Sequence, residues 1–239
     1  HSTSSAASDV YKRQYINNHY VIMATKKGQV KKTSLEQYSR PRVNGINAIT
    51  IKEEDELLEA KLTDGNSQVM LALKSGKAIR FEEAKTRPMG RNASGVRGIR
   101  LQHDKDEVIG MVSVNDMESN ILVVSSNGYG KRSKLEDYRI TNRGGKGVKT
   151  ISITEKTGDL VAIKNVDDSN GLMIINKSGI AIRMAVEDLR VMGRATQGVK
   201  LINIKDGDSI AAVAKVIHEK DDEEQEIESS ESENTNLEQ

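Results

Sequence analysis

Arg143-Gly144-Gly145-Lys146-Gly147 sets two cations among three glycines, with Arg139 and Lys149 close on either side. Residues of these types at this spacing suit anion binding. Glycines let the backbone approach another surface closely, and the cations favour a negatively charged one. Bond-making chemistry has no comparable support. Gly147-Val148-Lys149-Thr150 has valine where a phosphate-binding loop needs its final glycine. Gly128-Tyr129-Gly130 lacks the third glycine of a dinucleotide fingerprint, and no βαβ pattern follows. His1, His19, His103 and His218 are scattered, without metal-ligand spacing. Glu53-Glu54-Asp55-Glu56 reads as a solvated acidic turn, and none of the six tyrosines stands in a catalytic context.

The elements that must position the basic stretch emerge from internal repetition. Four segments open with an apolar run, turn at a glycine and continue into a second strand. They are Val21–Gly28, Val69–Gly76, Ile121–Gly128 and Leu172–Gly179. Apolar runs bounded by such turns read as buried strands joined in hairpins. A second glycine follows in each: Gly45, Gly95, Gly147 and Gly198. In the last three repeats an arginine (Arg91, Arg143, Arg194) lies four residues before it, and in the first Pro41 stands there between Arg40 and Arg42. An acidic turn and a last strand complete the unit.

Four strands in about 50 residues match the size of a propeller blade. The expected fold class is therefore all-β: a propeller-like disc of repeats at about 15–62, 63–114, 115–165 and 166–216. Two packed sandwiches are the alternative arrangement of such strands. The Gly-His, Trp-Asp and kelch marks of common propellers are missing. A cation also stands four residues after every turn glycine: Lys32, Arg80, Arg132 and Arg183. A lone edge lysine commonly discourages strand pairing, but four cations in four repeats predict a basic rim and a phosphate track.

Charge is distributed unevenly. Residues 219–239 hold ten acidic side chains and one lysine, so the net charge of +1 conceals a strongly basic body. That asymmetry predicts an anionic partner for the body and a disordered, solvated tail. The chain has no cysteine, consistent with a reducing cytoplasm, and no apolar run long enough to span a membrane. Asp9-Val10-Tyr11-Lys12-Arg13-Gln14 resembles the translation of a sequencing adapter, so 1–14 is read as non-native read-through.

Gly95-Val96-Arg97-Gly98-Ile99-Arg100, Asn127-Gly128-Tyr129-Gly130-Lys131-Arg132, Arg143-Gly144-Gly145-Lys146-Gly147 and Gly193-Arg194-Ala195-Thr196-Gln197-Gly198-Val199 together resemble the C-terminal domain of DNA gyrase A. The resemblance runs from about Val21 to Val216 and includes the acidic tail. It implies a β-pinwheel whose basic perimeter wraps duplex DNA. In the parent enzyme, that wrapping makes ATP-dependent strand passage introduce negative supercoils. The four repeats resemble the last four of six. Asn142 to Gly147 keeps the Arg-Gly-Gly-Lys-Gly core of the family's main box but lacks its leading Gln-Arg. The paralogous protein of topoisomerase IV is the second family reading.

The resemblance places the tyrosine-bearing catalytic domain of the type II topoisomerase outside this chain, and with it any use of ATP and Mg, so no cofactor is expected here. Expected partners are double-stranded DNA and, in the parent complex, the gyrase B protein, in the bacterial cytoplasm with the chromosome. The expected DNA contacts are Lys32, Arg40, Arg42, Arg80, Arg91, Arg97, Lys131, Arg132, Arg139, Arg143, Gly144, Gly145, Lys146, Gly147, Lys149, Arg183, Arg194 and Lys200. Aromatics are only 3% of the chain. That disfavours single-strand binding, which relies on stacking, and favours phosphate contacts on a duplex. A protein-interaction disc is the reading from another class; it would not need cations at matched positions.

Overall fold

A computed structural model describes residues 18–217 apart from Asp206. The expected read-through at 1–14 and the expected disordered tail at 219–239 both lie outside the described residues. The first three strands are β1 (Tyr20–Thr25), β2 (Gln29–Ser34) and β3 (Leu57–Thr63). The next repeat supplies β4 (Gln68–Leu73), β5 (Lys77–Glu82), β6 (Val96–Arg97) and β7 (Val108–Val114). The third supplies β8 (Asn120–Ser125), β9 (Tyr129–Lys134), β10 (Val148–Lys149) and β11 (Leu160–Val166). The last supplies β12 (Asn170–Asn176), β13 (Ala181–Ala185), β14 (Val199–Lys200) and β15 (Ile210–Ile217). The all-β expectation holds. The only helical segments among the described residues are short 3-10 turns at Leu35–Tyr38, Glu83–Lys85 and Leu135–Asp137.

The repeat in sequence is not the sheet in space. The sheets run β3-β1-β2-β6, β7-β4-β5-β10, β11-β8-β9-β14 and β15-β12-β13. Each of the first three takes its fourth strand from the repeat that follows. The register recurs: Val96 and Arg97 face Val30 and Gln29, Val148 and Lys149 face Ala78 and Lys77, and Val199 and Lys200 face Gly130 and Tyr129. Each exchanged pair therefore lies opposite the two residues after a turn glycine.

Central strands read as continuous apolar runs because both of their faces are covered. Along β4, Val69, Leu71 and Leu73 pack toward the first sheet, while Met70 and Ala72 pack toward the third. Along β8 the same alternation sends Ile121 and Val123 one way and Leu122 and Val124 the other. Neighbouring sheets meet through β3, β7, β11 and β15. Along β12, Leu172 and Ile174 are buried, but Ile175 on the opposite face is exposed.

Three of the hairpin turns are capped by acids from the last connection of their repeat. Asp55 accepts from the Lys27 amide at 2.8 Å and the Thr25 hydroxyl at 2.6 Å. Asp106, buried, accepts from the Ser75 amide at 3.1 Å and its hydroxyl at 2.8 Å. Asp208 accepts from Ser178 at 2.8 Å and from Asn176 at 2.6 Å. The Ser178 hydroxyl and nearby amides hold the Asp208 carboxyl below its ordinary pKa. Asp55 is thus half-buried and structural, whereas its neighbours Glu53, Glu54 and Glu56 stay exposed.

Candidate nucleic-acid interface

Valine and cation alternate along each exchanged strand, and the pleat separates them. Val96 and Val148 pack against the core, while Arg97, Lys149 and Lys200 are exposed at equivalent registers. Strand exchange therefore produces a row of outward cations, one per sheet junction. Lys77, directly opposite Lys149, belongs beside this row and was not among the expected contacts. Its position one residue after a turn glycine was the available signal.

The loops behind these strands are linked from blade to blade. Arg91 donates from Nη1 to the carbonyl of Asn47 at 3.1 Å, Arg143 to that of Arg97 at 3.2 Å and Arg194 to that of Lys149 at 2.8 Å. In each case the acceptor lies two residues after the second glycine (Gly45, Gly95 or Gly147) of the preceding repeat. Arg143 also donates from Nε to the Lys85 carbonyl at 3.0 Å. All three arginines remain half-exposed, so only part of each guanidinium is committed to the protein. Arg139 and Lys146 beside the box are exposed, as are Arg40 and Arg42 in the first repeat.

The row four residues after the turn glycines is a correction. Lys32, Arg80 and Arg132 do not line a rim; they are buried, with 4%, 7% and 7% of their surface exposed. Arg80 donates to the carbonyls of Leu135 at 2.7 Å and Tyr138 at 3.0 Å, and to Gln68 at 2.6 Å. Arg132 donates to the Leu189 carbonyl and pairs with Asp168. Lys32 lies 3.5 Å from the buried Glu83 carboxylate and 4.7 Å from the Tyr20 ring centre. Their own carbonyls accept from the next repeat as well, from Met89, Thr141 and Met192 at 2.7–2.9 Å. These cations clamp each sheet to the 3-10 turn or corresponding bend of the following repeat. Arg183, the fourth of the series, is exposed, and no following turn packs on it among the described residues.

Lys131 is likewise inside, 1% exposed. Its ammonium donates to the Gly193 carbonyl at 2.6 Å and the Thr196 hydroxyl at 3.0 Å. The glycines of the box also divide. Gly147 has φ +71°, and a Cβ there would sit 2.7 Å from the Ala78 carbonyl oxygen. Gly144 has φ +79° and opens toward Arg97, whereas Gly145 rests against Ile79. Gly147 is needed for the approach of β10 to β5.

Tyr138, just before the box, is structural rather than reactive. It is 1% exposed, and burial pushes its phenol up to about 12. Its hydroxyl is engaged with Thr150 at 2.5 Å.

Residues 19–64, 69–115, 119–167 and 172–217 match the family described as DNA gyrase C-terminal domain, beta-propeller. The chain belongs to that family. It is 45% identical over 203 residues to the DNA gyrase A protein of Staphylococcus epidermidis (strain ATCC 12228 / FDA PCI 1200), covering 84% of this chain and 23% of the relative. With the DNA gyrase A protein of Staphylococcus aureus (strain MRSA252) the identity is 42% over 217 residues, covering 90% and 24%. The chain therefore spans about a quarter of the length of these relatives. In fold it is similar to the C-terminal domain of DNA topoisomerase IV, with TM-score 0.80 and 24% identity over 85% of this chain and 63% of that one. A DNA gyrase A C-terminal domain gives TM-score 0.76 at 24% identity, covering 85% and 67%. This membership identifies a DNA-binding domain of the gyrase A type.

Proposed function

We propose that the domain wraps duplex DNA along the exchanged-strand edge, holding phosphates with little base readout. The observation that carries this reading is the matched row Arg97, Lys149 and Lys200, backed by the arginine-to-carbonyl links of Arg91, Arg143 and Arg194. Repeating one cation geometry at successive blades presents charge along a curve, which is what a bent polyanion requires. Bending a site of 20–30 base pairs by 40–90° costs about 1–6 kcal/mol. Roughly six phosphate contacts from three junctions supply enough attraction to offset that range at moderate salt. Within a whole gyrase, the wrap would give strand passage its direction in concert with the protein that binds ATP.

The test is a titration of a labelled duplex at several salt concentrations. About six contacts predict a slope of log K against log salt near −5. Binding that barely changes with salt, or that depends strongly on base sequence, would overturn the reading.

A further inference from the structure

Three residues after the turn glycine, the first and third repeats carry lysine, Lys31 and Lys131, where the second and fourth carry Ile79 and Ile182. Both lysines are buried, 0% and 1% exposed, beneath a loop that bears one of the linking arginines. The Lys31 ammonium donates to the carbonyls of Ala48 and Arg91, joining the first rim loop to the second. The Lys131 ammonium donates to Gly193 and Thr196 on either side of Arg194. The second glycines of the following repeats, Gly95 and Gly198, close on the lysine stems. A Cβ on Gly95 would lie 3.2 Å from the Lys31 Cβ, and one on Gly198 3.4 Å from that of Lys131.

The charges facing these ammonium groups are mostly repulsive. Arg91 faces Lys31; Arg194 faces Lys131, opposed by the attraction of Asp137. Neither lysine forms a salt bridge among the described residues. A buried cation held only by carbonyl and hydroxyl oxygens is expensive to keep, and Ile79 shows that the fold accepts an apolar side chain at this place. A role for the charge itself would account for lysine rather than isoleucine at these two places.

We infer that Lys31 and Lys131 are positioning residues of the rim: each holds its loop from beneath, so that Arg91 or Arg194 faces outward toward a polyanion. This rests on the DNA-binding reading above. Burial, with repulsion from the neighbouring arginine, lowers both lysines to about 8. A bound polyanion favours the charged form, so DNA affinity falls as pH rises through that value. Folding has the opposite sign. A lysine whose folded pKa lies below its unfolded 10.5 opposes folding below about 8, and that opposition fades as pH rises toward 10.5. Loss of affinity while stability rises cannot come from unfolding.

The test measures binding of a mixed-sequence duplex, at fixed salt, from pH 7 to pH 9, for the full chain and for Lys31→Ile with Lys131→Ile. The parent should weaken by about tenfold across the range, roughly the worth of one charge-assisted hydrogen bond. The double variant should bind about tenfold more weakly at pH 7 and show a flat profile. A variant that matches the parent in affinity and profile overturns the inference, as does a parent whose affinity ignores pH. A parent that binds no duplex at pH 7 fails the DNA-binding reading instead. If the variant does not fold, hydrogen exchange of amides 193–198 in the parent decides. Protection should fall between pH 7 and 9 beyond the intrinsic rate change, and unchanged protection overturns the inference.

Discussion

Arg143 donates from Nη1 to the main-chain carbonyl of Arg97 at 3.2 Å, while the Arg97 side chain remains exposed. One residue thus supplies the anchor for a neighbouring loop through its backbone and an outward charge through its side chain. The same division holds at Lys149, whose carbonyl accepts from Arg194 at 2.8 Å. Anchoring and charge can therefore be separated by mutation.

Replacing Arg97, Lys149 and Lys200 together by alanine removes the charges and keeps the carbonyls. The expected result is a salt slope less negative by about three, one unit per lost phosphate contact. Thermal stability should hardly change, because exposed charges contribute little. Fluorescence titration and a melting curve on the same preparation check both halves. An unchanged slope would remove this row from the interface.

Arg80→Met and Arg132→Met should do the reverse. Each strips a buried guanidinium from main-chain carbonyls of the next repeat, leaving acceptors unpaired. The expected loss is about 3 kcal/mol of unfolding free energy with the salt slope unchanged among molecules that fold. Arg183→Met, at the exposed member of the series, should stay within about 0.5 kcal/mol of the parent. Denaturant melts of the three variants decide it, and equal losses at all three positions would refute the clamp.

Much of this architecture was readable from residue order. The turn glycines, the apolar runs and the repeat length suffice for an all-β disc, since period and turn chemistry are local properties. Strand exchange was not readable, because Val96 pairs with Val30 rather than with its own repeat, and pairing partners are set by tertiary packing. The site was legible in part for the same reason. A cation in a repeat looks alike whether it meets phosphate or a neighbouring carbonyl, so Arg80 and Arg97 were indistinguishable until burial separated them. The buried Lys131 was hidden by sequence adjacency to Arg132, although the two side chains of a strand point to opposite faces.

The acidic segment offers a prediction from charge alone. Ten carboxylates beyond His218 form a polyanion that can compete with DNA for the basic edge. Deleting residues 221–239 should tighten duplex binding, most strongly at low salt where screening is weakest. Equal affinities with and without the segment at low salt would assign it a solubilising role instead.

Glycine and cation in the central box should fail in different ways. Gly147 sits at φ +71° with the Ala78 carbonyl carbon 2.9 Å and its oxygen 2.7 Å from where a Cβ would lie. Gly147→Ala must therefore push β10 away from β5, where the obstacle is backbone and cannot rotate aside. A loss of about 2 kcal/mol is expected from strain and broken pairing. Gly145→Ala is the control: its closest contact would be the flexible end of Ile79 at 3.4 Å, so the loss should be small. Arg143→Ala with Lys146→Ala should instead weaken DNA binding and reduce the salt slope by up to about two. That pair should cost about 1 kcal/mol, from the half-exposed Arg143 hydrogen bonds to the Lys85 and Arg97 carbonyls, with little from the exposed Lys146. If the alanine pair melted the fold while Gly147→Ala spared it, the box would be a structural clasp made by its cations. The close approach of Gly147 to Ala78 makes the opposite outcome the expected one.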